Sequence, residues 1–99
     1  MADDSITIEH RDTPGGGEYR ARTADGEHAG ELTWHPRGED VRVADHTGVP
    51  PAMRGRGIAE RLVEALIADA REKGFRIVPA CSYVAAQFRR RPDWSDLKA

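Results

Sequence analysis

Alternation of apolar and polar residues through the first half of the chain predicts four β-strands joined by short turns. This arrangement is typical of an antiparallel meander. The strands are expected at Ser5–His10, Glu18–Ala24, His28–Pro36 and Val41–Val49. The connections are expected at Asp12–Glu18, Asp25–Glu27 and Arg37–Asp40, the first being wide because three successive glycines make a poor strand interior.

The pattern changes to a helical period in the second half. From Gly57 to Lys73 the apolar residues recur every three or four positions, so they share one helix face, and Gly74 is suited to end the helix. A short apolar strand follows at Phe75–Ala80. Because a strand, a helix and a strand imply a crossover, the fourth and fifth strands should be parallel neighbours. A second helix is expected at Cys81–Arg91.

The two ends of the chain carry weaker signals. Residues 1–4 are expected to be a frayed start, whereas Trp94 and Leu97 are apolar enough to dock the C-terminal tail. Together the elements predict an α+β fold.

Length and composition limit the class of protein. With 99 residues, 38% of them hydrophobic, the chain is expected to form a single domain, residues 1–99, with one modest core. No apolar run is long enough for a membrane span, so no membrane partner is expected. The single cysteine, Cys81, excludes an internal disulfide and favours a reducing, cytoplasmic setting.

Charge is distributed unevenly along the sequence. Residues 1–49 hold 5 Arg against 11 acidic residues, whereas residues 50–91 hold 9 Lys and Arg against 4 acidic residues. The basic half contains the glycine-rich turn that precedes the first helix. An anionic ligand is therefore favoured at that turn.

That turn reads VPPAMRGRGIAERLV, residues 49–63, and has the features of a phosphate site. A helix start presents unpaired N–H groups and a partial positive charge, and glycines at 55 and 57 allow a ligand close to the backbone. The Walker pattern is absent, and Glu60 stands where the dinucleotide fingerprint needs glycine or alanine. The pattern Arg-x-x-Gly-x-Gly/Ala, by contrast, is matched by Arg54, Gly57 and Ala59.

This last pattern is the pyrophosphate loop of the GNAT acetyltransferase superfamily. Residues 46–97, with the loop between the fourth strand and an amphipathic helix, resemble the small, minimal branch of that superfamily. The resemblance implies a three-layer α/β arrangement whose mixed, mostly antiparallel sheet is splayed between the fourth and fifth strands. Pro50 and Pro51 are expected to end strand pairing where the splay begins.

The resemblance also implies acetyl-CoA as cofactor, with two sets of binding residues. The pantetheine arm would hydrogen-bond along Thr47, Gly48 and Val49. The pyrophosphate would be bound by Arg54, Gly55, Arg56, Gly57, Ile58 and Ala59.

Acetyl transfer to an amine needs a neutral amine, a stabilised oxyanion and, in some cases, a proton for the leaving thiolate. The Val49 N–H is the natural oxyanion donor on this geometry. His46 could be the base, Cys81 an acid, a base or a nucleophile, and Tyr83 the leaving-group acid by resemblance. The histidines and the cysteine show no metal-ligand spacing, so no metal is expected.

The resemblance therefore favours an acetyl-CoA-dependent N-acetyltransferase that acts on an unidentified small-molecule or protein amine, as a monomer or weak dimer. A non-catalytic CoA-binding or acyl-CoA-binding module is the alternative, because so short a chain leaves little material for an acceptor pocket. Nucleic-acid binding through the arginine-rich segments is disfavoured by the net charge of −2 and by the few aromatic residues.

Overall fold

A computed structural model describes residues 6–99, which form a five-stranded sheet with two main helices. The strands lie in chain order, β1 to β5, and only the β4–β5 pair is parallel. The strands are β1 (Ile6–Thr13), β2 (Gly16–Thr23), β3 (Ala29–Pro36), β4 (Val41–Gly48) and β5 (Arg76–Pro79), and the helices are α1 (Ile58–Lys73) and α2 (Ser82–Arg90). The predicted α+β class and mixed sheet are confirmed. The predicted frayed start and Ser5 lie outside the described residues.

The wide turn predicted at Asp12–Glu18 is wrong, because β1 and β2 continue to a two-residue turn at Pro14–Gly15. Gly16 and Gly17 belong to β2, where the backbone passes close to Trp34 of β3. A Cβ at Gly16 would collide with the Trp34 carbonyl oxygen, and one at Gly17 would lie 2.6 Å from Cζ2 of the indole. These glycines therefore allow a close approach between strands rather than a turn.

The edge of β4 is interrupted by a β-bulge. Thr33 pairs with His46 and Trp34 pairs with Ala44, so Asp45 is an extra residue on β4. A bulge bends and twists its strand. This bulge lies next to Ala44, where the pairing of β4 with β5 also ends.

The splay between β4 and β5 is present, but it begins earlier than predicted. The two strands pair from Val41↔Arg76 to Ala44↔Pro79, and one further hydrogen bond joins the Cys81 N–H to the Ala44 carbonyl at 2.9 Å. Beyond this point β4 has no partner in β5. Pairing ends because Pro79 lacks an N–H and the chain then enters α2, so Pro50 and Pro51 do not set the splay.

The core lies between one face of the sheet and the helices. Buried side chains of α1, α2 and the 3₁₀ turn Pro92–Leu97 join those of β2–β5 in one cluster. Two crossover connections, β4–α1–β5 and β5–α2–Lys98, each lead to the next parallel segment on the same side. Because such crossovers are right-handed, both helices are expected on the same face of the sheet. The other face carries mostly charged, exposed or half-buried side chains, including Glu9, Arg11 and Glu31.

The C-terminal tail is docked as expected. Trp94 is 4% exposed and Leu97 is 7% exposed, and Lys98 forms a parallel bridge with Ile77 of β5. Within residues 6–99, neither α1 nor α2 has the length and apolarity needed to cross a membrane.

Candidate functional site

The loop between β4 and α1 is anchored to the core by one buried side chain, and two glycines set its backbone conformation. The 3₁₀ turn Pro51–Met53 buries the Met53 side chain completely, which fixes the loop to the core. Gly55 and Gly57 then adopt φ values of +80° and +71°. This left-handed conformation favours glycine, and Gly57 is also the residue that caps α1.

These turns leave a row of backbone donors without a partner. Among residues 6–99, the N–H groups of Gly55, Gly57, Ile58 and Ala59 donate to no protein acceptor, and the first helical bond runs from the Arg61 N–H to the Gly57 carbonyl. The Arg54 N–H differs, because it donates to the Pro51 carbonyl at 3.2 Å. The Arg54 backbone therefore offers no free donor, whereas four other amides of the predicted loop can bind an anion.

A cavity of about 320 Å³ lies between this loop and α2. Six of the nine predicted cofactor-binding residues line it: Val49, Arg54, Gly55, Gly57, Ile58 and Ala59. Thr47, Gly48 and Arg56 do not line it. Arg56 lies beside a separate cavity, with Ile6 and Arg61.

The side-chain charges around the cavity have both signs. The Arg54 guanidinium is oriented by its Nε, which donates to the Val49 carbonyl at 3.1 Å. Arg90 lines the α2 wall. Glu60, in the first turn of α1, brings a carboxylate to the same cavity. This carboxylate interacts favourably with the helix N-terminus when no other anion is present.

Cys81 and Thr47 face one another across the splay. The Cys81 Sγ lies 3.5 Å from the Thr47 Oγ1, and Cys81 is the residue that caps α2. Burial alone would raise the pKa of the Cys81 thiol. Hydrogen bonds from the Thr47 side chain and from the backbone at Val84 and Tyr83 outweigh burial and hold this pKa below its ordinary value.

His46 lies on the opposite face of the sheet from Thr47. Thr47 pairs with the buried Leu32, whereas His46 pairs with Thr33 on the polar face. The His46 side chain is 61% exposed, and its Nε2 lies 3.8 Å from a carboxylate oxygen of Glu31. Within residues 6–99 no hydrogen bond joins His46 to Cys81, so the structure does not bring these two predicted catalytic residues into contact.

Tyr83 is half-buried in the first turn of α2 and lines the cavity. Burial, followed by the nearby Glu60 carboxylate, raises the pKa of the Tyr83 hydroxyl above its ordinary value. The hydroxyl is therefore protonated at neutral pH and can donate a proton or a hydrogen bond.

Four residues of the cavity are absent from the predicted binding and catalytic residues: Met53, Glu60, Gln87 and Arg90. Tyr83, Gln87 and Arg90 line the cavity at i, i+4 and i+7 of α2, a spacing that could have identified Gln87 from sequence. Arg91 does not belong to this stripe, because its guanidinium stacks on Trp94 and pairs with Asp93. Within the described part of the chain no three His, Cys, Asp or Glu residues are grouped to hold a metal ion.

Comparison with known proteins supports the fold and shows the family. The chain matches, over all of its length and 91% of the other chain, the NMR solution structure of a GCN5-like protein from Staphylococcus aureus, with a TM-score of 0.70 and 20% identity. That likeness supports the fold. The model of the GCN5-related N-acetyltransferase family matches residues 18–97, which include most of β2, all of β3, β4 and β5, the glycine-rich loop and both helices. This chain belongs to the GCN5-related N-acetyltransferase family.

Proposed function

We propose that this acetyltransferase binds acetyl-CoA in the cavity between α1 and α2 and transfers the acetyl group to an amine. Enzymes of the family generally use acetyl-CoA. The observation that carries the proposal is the set of four unpaired amides at Gly55, Gly57, Ile58 and Ala59, which border a cavity that Val49 and Tyr83 also line.

The loop suits a diphosphate in both chemistry and shape. Four N–H donors and the positive end of α1 would hold phosphate oxygens, and the Arg54 guanidinium would add a charged donor. Gly57 presents no side chain, and the nearest neighbour of a Cβ placed there would be Glu60 Oε1 at 3.7 Å. The volume of about 320 Å³ falls at the lower end of the range for ligand sites, about 300–1,000 Å³.

The edge of β4 beyond Ala44 suits the arm of the cofactor. Residues 45–48 have no partner in β5, so one side of this strand can exchange backbone hydrogen bonds with a ligand. Thr47, Gly48 and Val49 stay the predicted binding residues for the pantetheine arm.

When bound, acetyl-CoA would supply an activated acetyl thioester. The Val49 N–H would donate to the thioester carbonyl oxygen, and the protonated Tyr83 hydroxyl would give a proton to the leaving thiolate. His46, exposed on the polar face beside Glu31, would remove a proton from the acceptor amine. The acceptor is an amine of a small molecule or of a protein.

Cys81 offers a second route for the acetyl group. Its partial exposure and lowered pKa both favour a nucleophilic role, because the thiolate is the reactive form of cysteine. A route through Cys81 would leave this residue acetylated before the acceptor reacts. Intact mass after mixing with acetyl-CoA would then show an acetyl adduct that Cys81→Ser abolishes, whereas direct transfer gives no adduct in either protein.

The test of the proposed activity is free-thiol release from acetyl-CoA across a panel of amines. We expect turnover with at least one amine, and a lower rate in His46→Ala at unchanged CoA affinity because His46 does not line the cavity. CoA binding with no turnover on any amine would contradict transferase activity in this chain.

CoA binding without turnover on any amine would favour the alternative, a non-catalytic CoA-binding module. One observation supports this alternative: His46 is 61% exposed on the open face of the sheet, where few apolar side chains form a wall. Tight CoA binding, with any residual thiol release unaffected by His46→Ala and Cys81→Ala, would establish it. The cytoplasmic setting stays a prediction, supported by the single free thiol.

A further inference from the structure

Gln87 is a buried polar residue in the middle of α2. It is 6% exposed, and among residues 6–99 no other polar or charged residue reaches this degree of burial. Its neighbours Val84 and Phe88 are buried apolar residues of the core. An amide in such surroundings needs hydrogen-bond partners to offset its loss of water.

The protein supplies no such partner. In the described part of the chain no hydrogen bond reaches the Gln87 carboxamide, which has two donor hydrogens and an acceptor oxygen. The carboxamide itself is not enclosed, because among the described residues the Arg42 Nη1 is the side-chain atom that is buried without a partner. Because the side chain lines the cavity of the proposed site, a ligand can provide the missing partners.

The position of Gln87 along α2 indicates which part of a ligand it meets. Tyr83 and Arg90 lie about one turn before and after Gln87 on the same cavity wall. Cys81, at the splay, is six residues earlier, or about 9 Å along the helix axis at ~1.5 Å per residue. Gln87 therefore lies between the splay and the outer wall at Arg90, and it faces the stretch that joins a thioester to a diphosphate.

We propose that the Gln87 carboxamide hydrogen-bonds the amide-bearing arm of the CoA cosubstrate and selects for ligands that carry this arm. The inference rests on the proposed function and adds a specificity-determining residue to it. An amide can donate and accept at once, so it matches the amides of the arm, whereas the loop N–H groups and Arg54 match phosphate oxygens. The two walls of the cavity thus bind different parts of one ligand.

The test compares wild type, Gln87→Met and the matched control Arg89→Met by calorimetry with CoA and with ADP, which has the diphosphate but no arm. Methionine has nearly the shape of glutamine without its amide, and Arg89 is exposed on α2 outside the cavity. We expect Gln87→Met to weaken CoA binding about 5- to 10-fold, the effect of one or two lost hydrogen bonds, and to leave ADP binding unchanged. Arg89→Met should change neither.

Thermal unfolding without ligand separates this role from a structural one. A ligand-binding Gln87 predicts an equal or higher Tm for Gln87→Met, because the carboxamide makes no hydrogen bond to the described residues that the substitution could remove. A lower Tm together with weaker binding of both ligands would overturn the proposal. Gln87→Asn shortens the side chain by one methylene and should also weaken binding of CoA but not of ADP. This variant replaces Gln87→Met in the test if the methionine variant does not fold.

The binding results also separate this inference from the proposed function. Wild type that binds CoA, with Gln87→Met binding it equally well, overturns the role of Gln87 alone. Wild type that binds neither CoA nor ADP overturns the proposed function and this inference with it.

Discussion

One cavity lies at the glycine-rich loop and another at the opposite end of the sheet. The two cavities differ in how many of the polar groups around them have partners within the protein. The cavity at the glycine-rich loop has a volume of about 320 Å³. The one at the far end, between the β1–β2 turn and the start of β5, has about 590 Å³ and is lined by Trp34, Arg42 and Phe75 among others. Volume alone would favour the far end as the ligand site.

Polar groups at the far end are mostly satisfied within the protein. The Arg42 guanidinium lies between the rings of Trp34 and Phe75, 3.9 and 4.0 Å from their centroids. The Trp34 Nε1 donates to the His10 Nε2 at 3.2 Å. Burial, then the charge of Arg42, lowers the pKa of His10, which keeps this imidazole neutral and able to accept.

One side-chain nitrogen at the far end is enclosed and has no partner among the described residues. Among the described residues, the Arg42 Nη1 is buried without a hydrogen-bond partner, while the aromatic faces stabilise the charge of its guanidinium. At the loop end, four backbone amides and the Gln87 carboxamide are unpaired beside a cavity that a ligand can enter. The comparison teaches that unpaired donors that border an open cavity indicate a ligand site better than volume does.

The largest expected effect is at the loop, in Gly57→Glu. A carboxylate there would occupy the space of the phosphate and repel it, so we expect CoA affinity to fall more than about 100-fold, as two close like charges cost several kcal/mol when desolvated. Because Gly57 has a φ of +71°, any side chain also adds strain of about 1–2 kcal/mol. Gly57→Ala carries this strain without the charge and is the matched control in calorimetry. Equal affinities of the two variants would show that charge at this position does not matter.

At the far end, Arg42→Met should affect stability and leave CoA binding intact. Loss of the cation between two rings is expected to lower the free energy of unfolding by about 1–3 kcal/mol. Urea denaturation measures this change, with the exposed Arg89→Met as control. If Arg42→Met weakened CoA binding instead, the far end would have to be reconsidered as part of a ligand site.

A smaller effect is expected in the pH dependence of Cys81 alkylation. Since Thr47 and backbone groups hold the pKa of the thiol below its ordinary value, the midpoint for iodoacetamide reaction should lie below that of an unfolded cysteine. Thr47→Val should move this midpoint upwards. The lowered pKa also means that thiolate formation stabilises the folded state above the unfolded pKa, a contribution lost as pH falls through the folded pKa. A wild-type midpoint at or above that of the denatured protein would contradict the assignment.

The smallest effect is expected for Glu60→Gln. The Glu60 carboxylate lines the cavity and competes with a phosphate for the N-terminus of α1, so its neutralisation should tighten CoA binding about 2- to 5-fold. Glu64, one turn later on α1, lies outside the cavity, and Glu64→Gln is the matched control. Weaker binding by Glu60→Gln would indicate that the carboxylate assists the ligand.

Sequence reasoning was most successful where structure depends on local rules. Alternation located four strands, and the helix beginning after Gly57 and ending before Gly74 follows from apolar period and glycine conformation. The predicted wide turn was wrong at Gly16 and Gly17, because the role of these glycines depends on the close approach of Trp34 from another strand. The opposite orientations of His46 and Thr47 could have been read from the two-residue period of β4.

The sequence by itself determined the order of the elements, the glycines that turn the loop and the family to which the chain belongs, because each depends on residues close together along the chain. Tertiary structure alone decided where β4 and β5 part, which loop amides stay unpaired and that the Gln87 carboxamide has no partner among the described residues. These features depend on contacts between distant segments: the bulge at Asp45, the end of pairing at Pro79 and the packing of α2 beside α1. Periodicity describes one segment at a time, so it cannot report whether a donor on that segment finds an acceptor on another.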